Sequence, residues 1–162
     1  MDFFFQIWLF IELHCFKICV LAIFKTITDL ERIGDETEKI ARLVLKLNDP
    51  RAITIYYTGI LAISRNVRRM LSDALNAFAR MDSKSANKIA QMDKEIDAGI
   101  DLLMRQLITF TLEDVSVISA VLDAVLAARA LERIGDHARN ICENVIYLVD
   151  GIDVRHGESG IK

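Results

Sequence analysis

The chain has 162 residues, 52% hydrophobic and 27% charged, which is enough apolar mass for one sizeable core and enough charge to stay in water. Its net charge of −3 leaves no basic surplus to neutralise phosphates and so excludes nucleic acid as a main partner. Three cysteines, Cys15, Cys19 and Cys142, stand among apolar residues and read as small core hydrophobes of a reducing compartment, not as a disulfide framework.

The first segment, residues 1–24, is apolar and aromatic. Phe3–Phe24 is long enough to span a bilayer. Gln6, Glu12, His14 and Lys17 interrupt it, however, and a central charge costs roughly 2.5–3.5 kcal/mol on insertion. A secretory leader opens with positive charge, whereas this chain opens with Asp2. A membrane anchor and an apolar helix of a soluble bundle both remain open, and the second is preferred.

Beyond it the pattern is all-α. Pro50 is the only proline, and it suits the first turn of a helix after the break Asn48-Asp49. Met81-Asp82-Ser83 reads as a second break, with Asp82 or Ser83 as N-cap. Leu112-Glu113-Asp114 is a third, with acidic groups where a helix N-terminus favours them. Gly151 stops the last helix. The spacing predicts four long helices, roughly 6–47, 51–80, 83–111 and 115–150. Their short connections make them antiparallel neighbours of an up-down bundle.

A hexamer recurs within this array: Leu-Glu-Arg-Ile-Gly-Asp stands at Leu30–Asp35 and again at Leu131–Asp136. At the same offset Leu21, Ile40, Val44 and Leu47 match Leu122, Ile141, Val145 and Leu148, so one supersecondary unit is used twice. Leu30, Ile33, Ile40, Val44 and Leu47 form one apolar stripe, and their counterparts form another. Glu31 and Asp35, like Glu132 and Asp136, point away from those stripes. The helix before the second copy adds Asp93 and Asp97, with Asp101 one turn further. Two adjacent helices thus bring Asp93, Asp97, Glu132 and Asp136 toward one another.

Carboxylates at i and i+4 stack about a turn apart. Facing each other across a bundle, they repel unless a cation lies between them. Oxygen donors suit Mg²⁺, Mn²⁺, Ca²⁺ or oxidised iron better than zinc. The alternative is ordinary solvated charge, paired loosely with Arg32, Arg42, Arg133 or Arg139. Duplication and the third pair bring the two readings level. His137 is expected to be a hydrated surface histidine. The Glu-x-x-His signature of di-iron bundles is missing, because Gly34 and Gly135 occupy its third position. Those glycines suggest close approach of a backbone or a hydrated ion. Arg65, Arg68 and Arg69 read as a solvated basic stripe.

The stretches Lys25–Asp35 and Ala128–Asp136 closely resemble the PhoU family of phosphate-uptake regulators. So do Asp93-Lys94-Glu95-Ile96-Asp97, Arg105-Gln106-Leu107, Glu113-Asp114 and Asn140–Glu143, from about Phe24 to His156. The resemblance implies a fold of two three-helix bundles. The expected organisation is residues 25–49 as the last helix of a first repeat, 50–151 as a complete second repeat and 152–162 as a tail. It also implies a cytoplasmic homo-oligomeric regulator, not an enzyme. Such a protein represses the phosphate-starvation response by linking the ATPase subunit of a phosphate ABC transporter to a sensor histidine kinase, and it reaches the membrane only through these partners. Carried over residue by residue, the family's metal motifs fall on Glu31 and Asp35 and on Asp93, Asp97, Glu132 and Asp136, for ions such as Mg, Mn, Fe or Zn. Residues 1–23 depart from the family pattern: two further helices are expected before Lys25, and the sequence there reads as truncated or altered. The alternatives are a carboxylate-bridged metalloenzyme and a non-functional remnant.

Overall fold

Among the described residues five α-helices and one 3₁₀ turn follow one another: α1 (Phe3–Lys46), α2 (Pro50–Arg80), α3 (Ser83–Ala90), α4 (Asp93–Glu113), the turn Val115–Val117, and α5 (Ile118–Asp150). The computed structural model describes the backbone of residues 3–46 and 50–152 and the side chains of 16–45 and 58–152. No strand occurs among them. The all-α bundle read from the sequence is the fold. The expected break at Asn48-Asp49 lies outside the described residues, as do the side chains of Leu47 and Cys15. Pro50 is the first residue of α2, where its missing N–H would have had no helical partner.

Local chemistry sets the other boundaries. Asp82 caps α3, its carboxylate accepting the Ser85 N–H at 3.0 Å and the Ser85 hydroxyl at 2.6 Å. Asp114 caps the 3₁₀ turn by accepting from the Ser116 N–H at 2.9 Å. Gly151 ends α5 with φ 70°, a left-handed conformation that glycine adopts without penalty.

One boundary differs from expectation. The helix predicted over 83–111 is broken at Gln91–Met92. There the Met92 N–H bonds back to the Ile89 carbonyl, and Glu95 and Ile96 both bond to the Met92 carbonyl. The ladder restarts, and Asp93 becomes the first residue of α4, where the helix dipole favours a carboxylate.

α2, α3 and α4 pack against α5 around one core, and α1 lies along another side of α5. Met70, Ile96, Leu107, Ile141, Val145 and Cys142 are its largest fully buried side chains. α1 and α5 run antiparallel, since Asp29 meets His137 and Asn140 while Glu36, two turns further along α1, meets Arg133. The α1 seam that faces α5 is Ala22, Thr26, Asp29, Ile33, Glu36 and Ile40, spaced by threes and fours.

The stripe expected in the first repeat needs correction. Leu30 and Val44 are 39% and 48% exposed, whereas their counterparts Leu131 and Val145 are 5% and 0% exposed. Polar Asp29 and Glu36 turn toward α5, where Asp29 Oδ1 meets His137 and Asn140 and Glu36 Oε1 meets Arg133, although Glu36 Oε2 is buried without a partner. Among the described residues no helix is long and apolar enough to cross a membrane.

Glu36 ties α1 to α5. Burial raises its pKa, but hydrogen bonds and charge from Lys39 (2.7 Å) and Arg133 (2.9 Å) outweigh burial and hold it below 4.5. A carboxyl depressed in the fold contributes stability that is complete above 4.5 and is lost as pH falls through the lowered value. Glu36→Gln is therefore expected to flatten the loss of stability below pH 4.5, read as the urea midpoint against pH. Ile141→Ala, which opens a cavity in the fully buried centre of α5, is expected to cost about 2–5 kcal/mol in the same unfolding experiment.

Candidate metal centre

α4 and α5 pack so that the acidic face of each looks toward the other. Gly135 permits this. A Cβ there would lie 3.3 Å from Asp93 Oδ1 and 3.7 Å from two Ile96 carbons. The close approach suspected from glycine inside a helix is thus an approach of the Asp93 carboxylate. Gly34, at the equivalent place in α1, has nothing within 4 Å of its Cβ position.

Asp93 is buried, and its Oδ2 accepts from the Arg139 guanidinium. Arg139 also lies 3.1 Å from Asp136 and 3.5 Å from Glu143. One α5 cation therefore gathers carboxylates from both helices. Glu132 pairs at 2.6 Å with Arg129, which also senses the charge of Asp101. Burial, and then the charges of Asp97 and Asp136, push the Asp93 carboxyl upward against the pull of Arg139. Asp97 is exposed, yet its carboxyl is also pushed up, by desolvation and by Asp136, Glu132 and Asp101. These carboxylates share one field of negative charge, and Arg139 offsets it at one end.

Four of the six residues singled out in the sequence, Asp93, Asp97, Glu132 and Asp136, thus occupy one α4–α5 face, with Asp101 extending it. Glu31 and Asp35 lie exposed on α1, and no described helix crosses in front of them at Gly34. Among the described residues, no three His, Cys, Asp or Glu groups converge closely enough to ligate one ion directly. Arg139 already fills the space beside Asp93. As oxygen donors, Asp97, Glu132 and Asp136 would suit a hard cation that keeps much of its water. Arg65, Arg68 and Arg69 are exposed on α2.

Sequence reasoning missed the polar seam between α1 and α5. His137 is not a surface histidine: its ring is largely covered, and Nδ1 lies 2.9 Å from Asp29 Oδ1. The Asn140 amide donates to the same oxygen at 3.3 Å. The signal was the spacing of Thr26, Asp29, Ile33, Glu36 and Ile40, a heptad seam with polar members. Cys142 is fully buried, and burial pushes its thiol up to about 12, in keeping with its reading as a core hydrophobe. Cys19 is half-buried.

Residues 60–145 match the PhoU domain. Among curated relatives, a phosphate-specific transport system accessory protein PhoU homolog of Pseudomonas putida is 50% identical over 137 residues, covering 85% of this chain and 54% of its own length. Its counterpart in Escherichia coli (strain K12) is 43% identical over 141 residues, covering 85% and 56%. The crystal structure of PhoU from Pseudomonas aeruginosa superposes with a TM-score of 0.82 at 43% identity, over 85% of this chain and 66% of that one. That of the phosphate transport system regulatory protein PhoU from Streptococcus pneumoniae gives 0.78 at 30% identity, over 86% and 66%. The chain spans little more than half the length of these curated relatives. With a domain match over more than half of its length and relatives at 43–50% identity, the chain belongs to the PhoU family.

Proposed function

We propose that this chain is a regulatory accessory of phosphate transport that binds a hard cation on its α4–α5 face and acts through protein contacts, not by catalysis. The reading of its role rests on relatives named phosphate-specific transport system accessory proteins. The cation reading rests on one geometric observation: Asp97, Glu132 and Asp136 share a face with too little positive charge to match them. In this reading the chain works in the cytoplasm. It contacts the ATPase subunit of a phosphate importer and a phosphate-sensing histidine kinase, and represses the starvation response when phosphate is plentiful. A Mg²⁺-like ion would supply charge neutralisation and would stiffen the α4–α5 contact that a partner meets.

Mn²⁺ added to the purified chain and followed by electron paramagnetic resonance tests the cation. Binding is expected, and the double variant Asp97→Asn/Glu132→Gln is expected to weaken it by roughly tenfold or more. Equal binding by both proteins would refute the site. In the metal-free protein at pH 7, Asp97→Asn alone is expected to raise stability, because its carboxyl binds a proton more tightly folded than unfolded and its charged form is therefore a cost. Screening limits that gain to roughly a few tenths of a kcal/mol, and it disappears below the ordinary carboxylate value of 3.8. The regulatory half is tested by expressing the chain in a regulator-deficient cell. Restored phosphate-responsive repression is expected, and its absence counts against the role.

A further inference from the structure

A cleft of about 340 Å³ opens along the α1–α5 contact, lined from α1 by Lys25, Thr28, Asp29 and Arg32 and from α5 by Asn140 and Asn144. It shares no residue with the acidic α4–α5 face. Its charges are also balanced differently from those nearby. Lys39, Arg42 and Arg133, on the same two helices, each meet a carboxylate, whereas Lys25 and Arg32 meet none among the described residues. These two cations stand seven residues apart on one side of α1, about 10 Å along its axis, with Thr28 and Asp29 between them. Against the single carboxylate of Asp29 they leave the cleft one positive charge in surplus.

The floor of the cleft is polar and incompletely satisfied. Asn144 is 5% exposed, and its carboxamide makes no hydrogen bond among the described residues. A buried amide without a partner is costly, and a ligand that accepts from it removes that cost. Asp29 Oδ1 is taken by the Asn140 amide at 3.3 Å and by His137 at 2.9 Å. Oδ2 of the same carboxylate makes no hydrogen bond among the described residues.

We propose that this cleft binds free hydrogen phosphate. Lys25 and Arg32 hold the charge of the ion, the Asn144 amide donates to one of its oxygens, and Asp29 Oδ2 accepts from its O–H group. Two unpaired cations favour an anion of more than one charge, and the carboxylate decides which. Asp29 repels an oxyanion without a proton, such as sulfate at neutral pH, but takes a short, strong hydrogen bond from one that keeps a proton, as phosphate does. A phosphate monoester has lost that proton by pH 8, so Asp29 favours the free ion over a phosphorylated metabolite. Because the ligands come from both helices, the bound ion ties α1 to α5 at one end of their contact, as the Glu36–Arg133 pair does further along. The site depends neither on a cation at α4–α5 nor on the role in transport.

Isothermal titration calorimetry of the full 162-residue chain with sodium phosphate at pH 8 tests the site. Binding with a dissociation constant of roughly millimolar or tighter is expected. Lys25→Ala/Arg32→Ala is expected to weaken it by about tenfold or more with the helical circular dichroism unchanged, and Asn144→Leu to weaken it as well. Arg69→Ala, on an exposed residue of α2, is expected to leave binding as it was. Sulfate and glycerol phosphate are expected to bind about tenfold more weakly than phosphate or worse, and Asp29→Asn to bring sulfate level with phosphate. No heat at roughly 10 mM phosphate, binding that survives the double variant, or sulfate equal to phosphate in the unaltered chain overturns the proposal. Glycerol phosphate bound more tightly than phosphate assigns the cleft to phosphorylated metabolites and overturns it too.

Discussion

The antiparallel contact of α1 with α5 is the constraint on which the rest of the molecule depends. Both helices carry the repeated hexamer, and each presents two apolar seams: one toward the other helix and one outward. The shared seam holds Asp29, His137, Asn140, Glu36 and Arg133 as well as Ile33, and its hydrogen bonds and ion pair favour one axial register of the two helices. Once that register is set, α5 turns Leu131, Gly135 and Val145 toward α2–α4, and its carboxylates fall opposite Asp93 and Asp97. The acidic face is built where α4 packs on α5.

Much of this was legible in residue order. Caps at Asp82 and Asp114, the stop at Gly151 and the start at Pro50 each have a local cause, and local causes can be read locally. The grouping of Asp93 and Asp97 with Glu132 and Asp136 was also visible, because helical spacing and a short connection leave few ways to pack α4 on α5. Three features were not. The break at Gln91–Met92 carries no glycine or proline, so no local residue marks it. The burial of Asp29 and Glu36 runs against their polarity and requires knowing that His137, Asn140 and Arg133 wait on the opposite helix. The exposure of Leu30 and Val44 was hidden by the duplication itself, since equal sequences suggest equal surroundings.

The two glycines of the repeat show the same limit. Gly34 and Gly135 are indistinguishable by neighbours in sequence, yet one faces open space and the other receives a carboxylate oxygen. Charge follows this difference. Beside Gly135 the carboxylates repel one another and press against Arg139, whereas Glu31 and Asp35 stand in water, which screens them. Arg139 offsets Asp93 most directly and Asp97 only in part, so the Asp97 carboxyl is still pushed up. Chemical identity repeated along a chain thus guarantees a repeated backbone and apolar pattern, but the electrostatic state is decided by whatever lies across the gap.

The depth of the Cys142 thiol has a practical side. Fully buried in α5, with burial pushing its thiol up to about 12, it offers no nucleophile to an alkylating reagent at neutral pH while the helices stay together. Its reaction rate is then set by how often the core parts around it, in the manner of a slowly exchanging amide. The chain carries its own clock for opening of the bundle, one that half-buried Cys19 on α1 does not share.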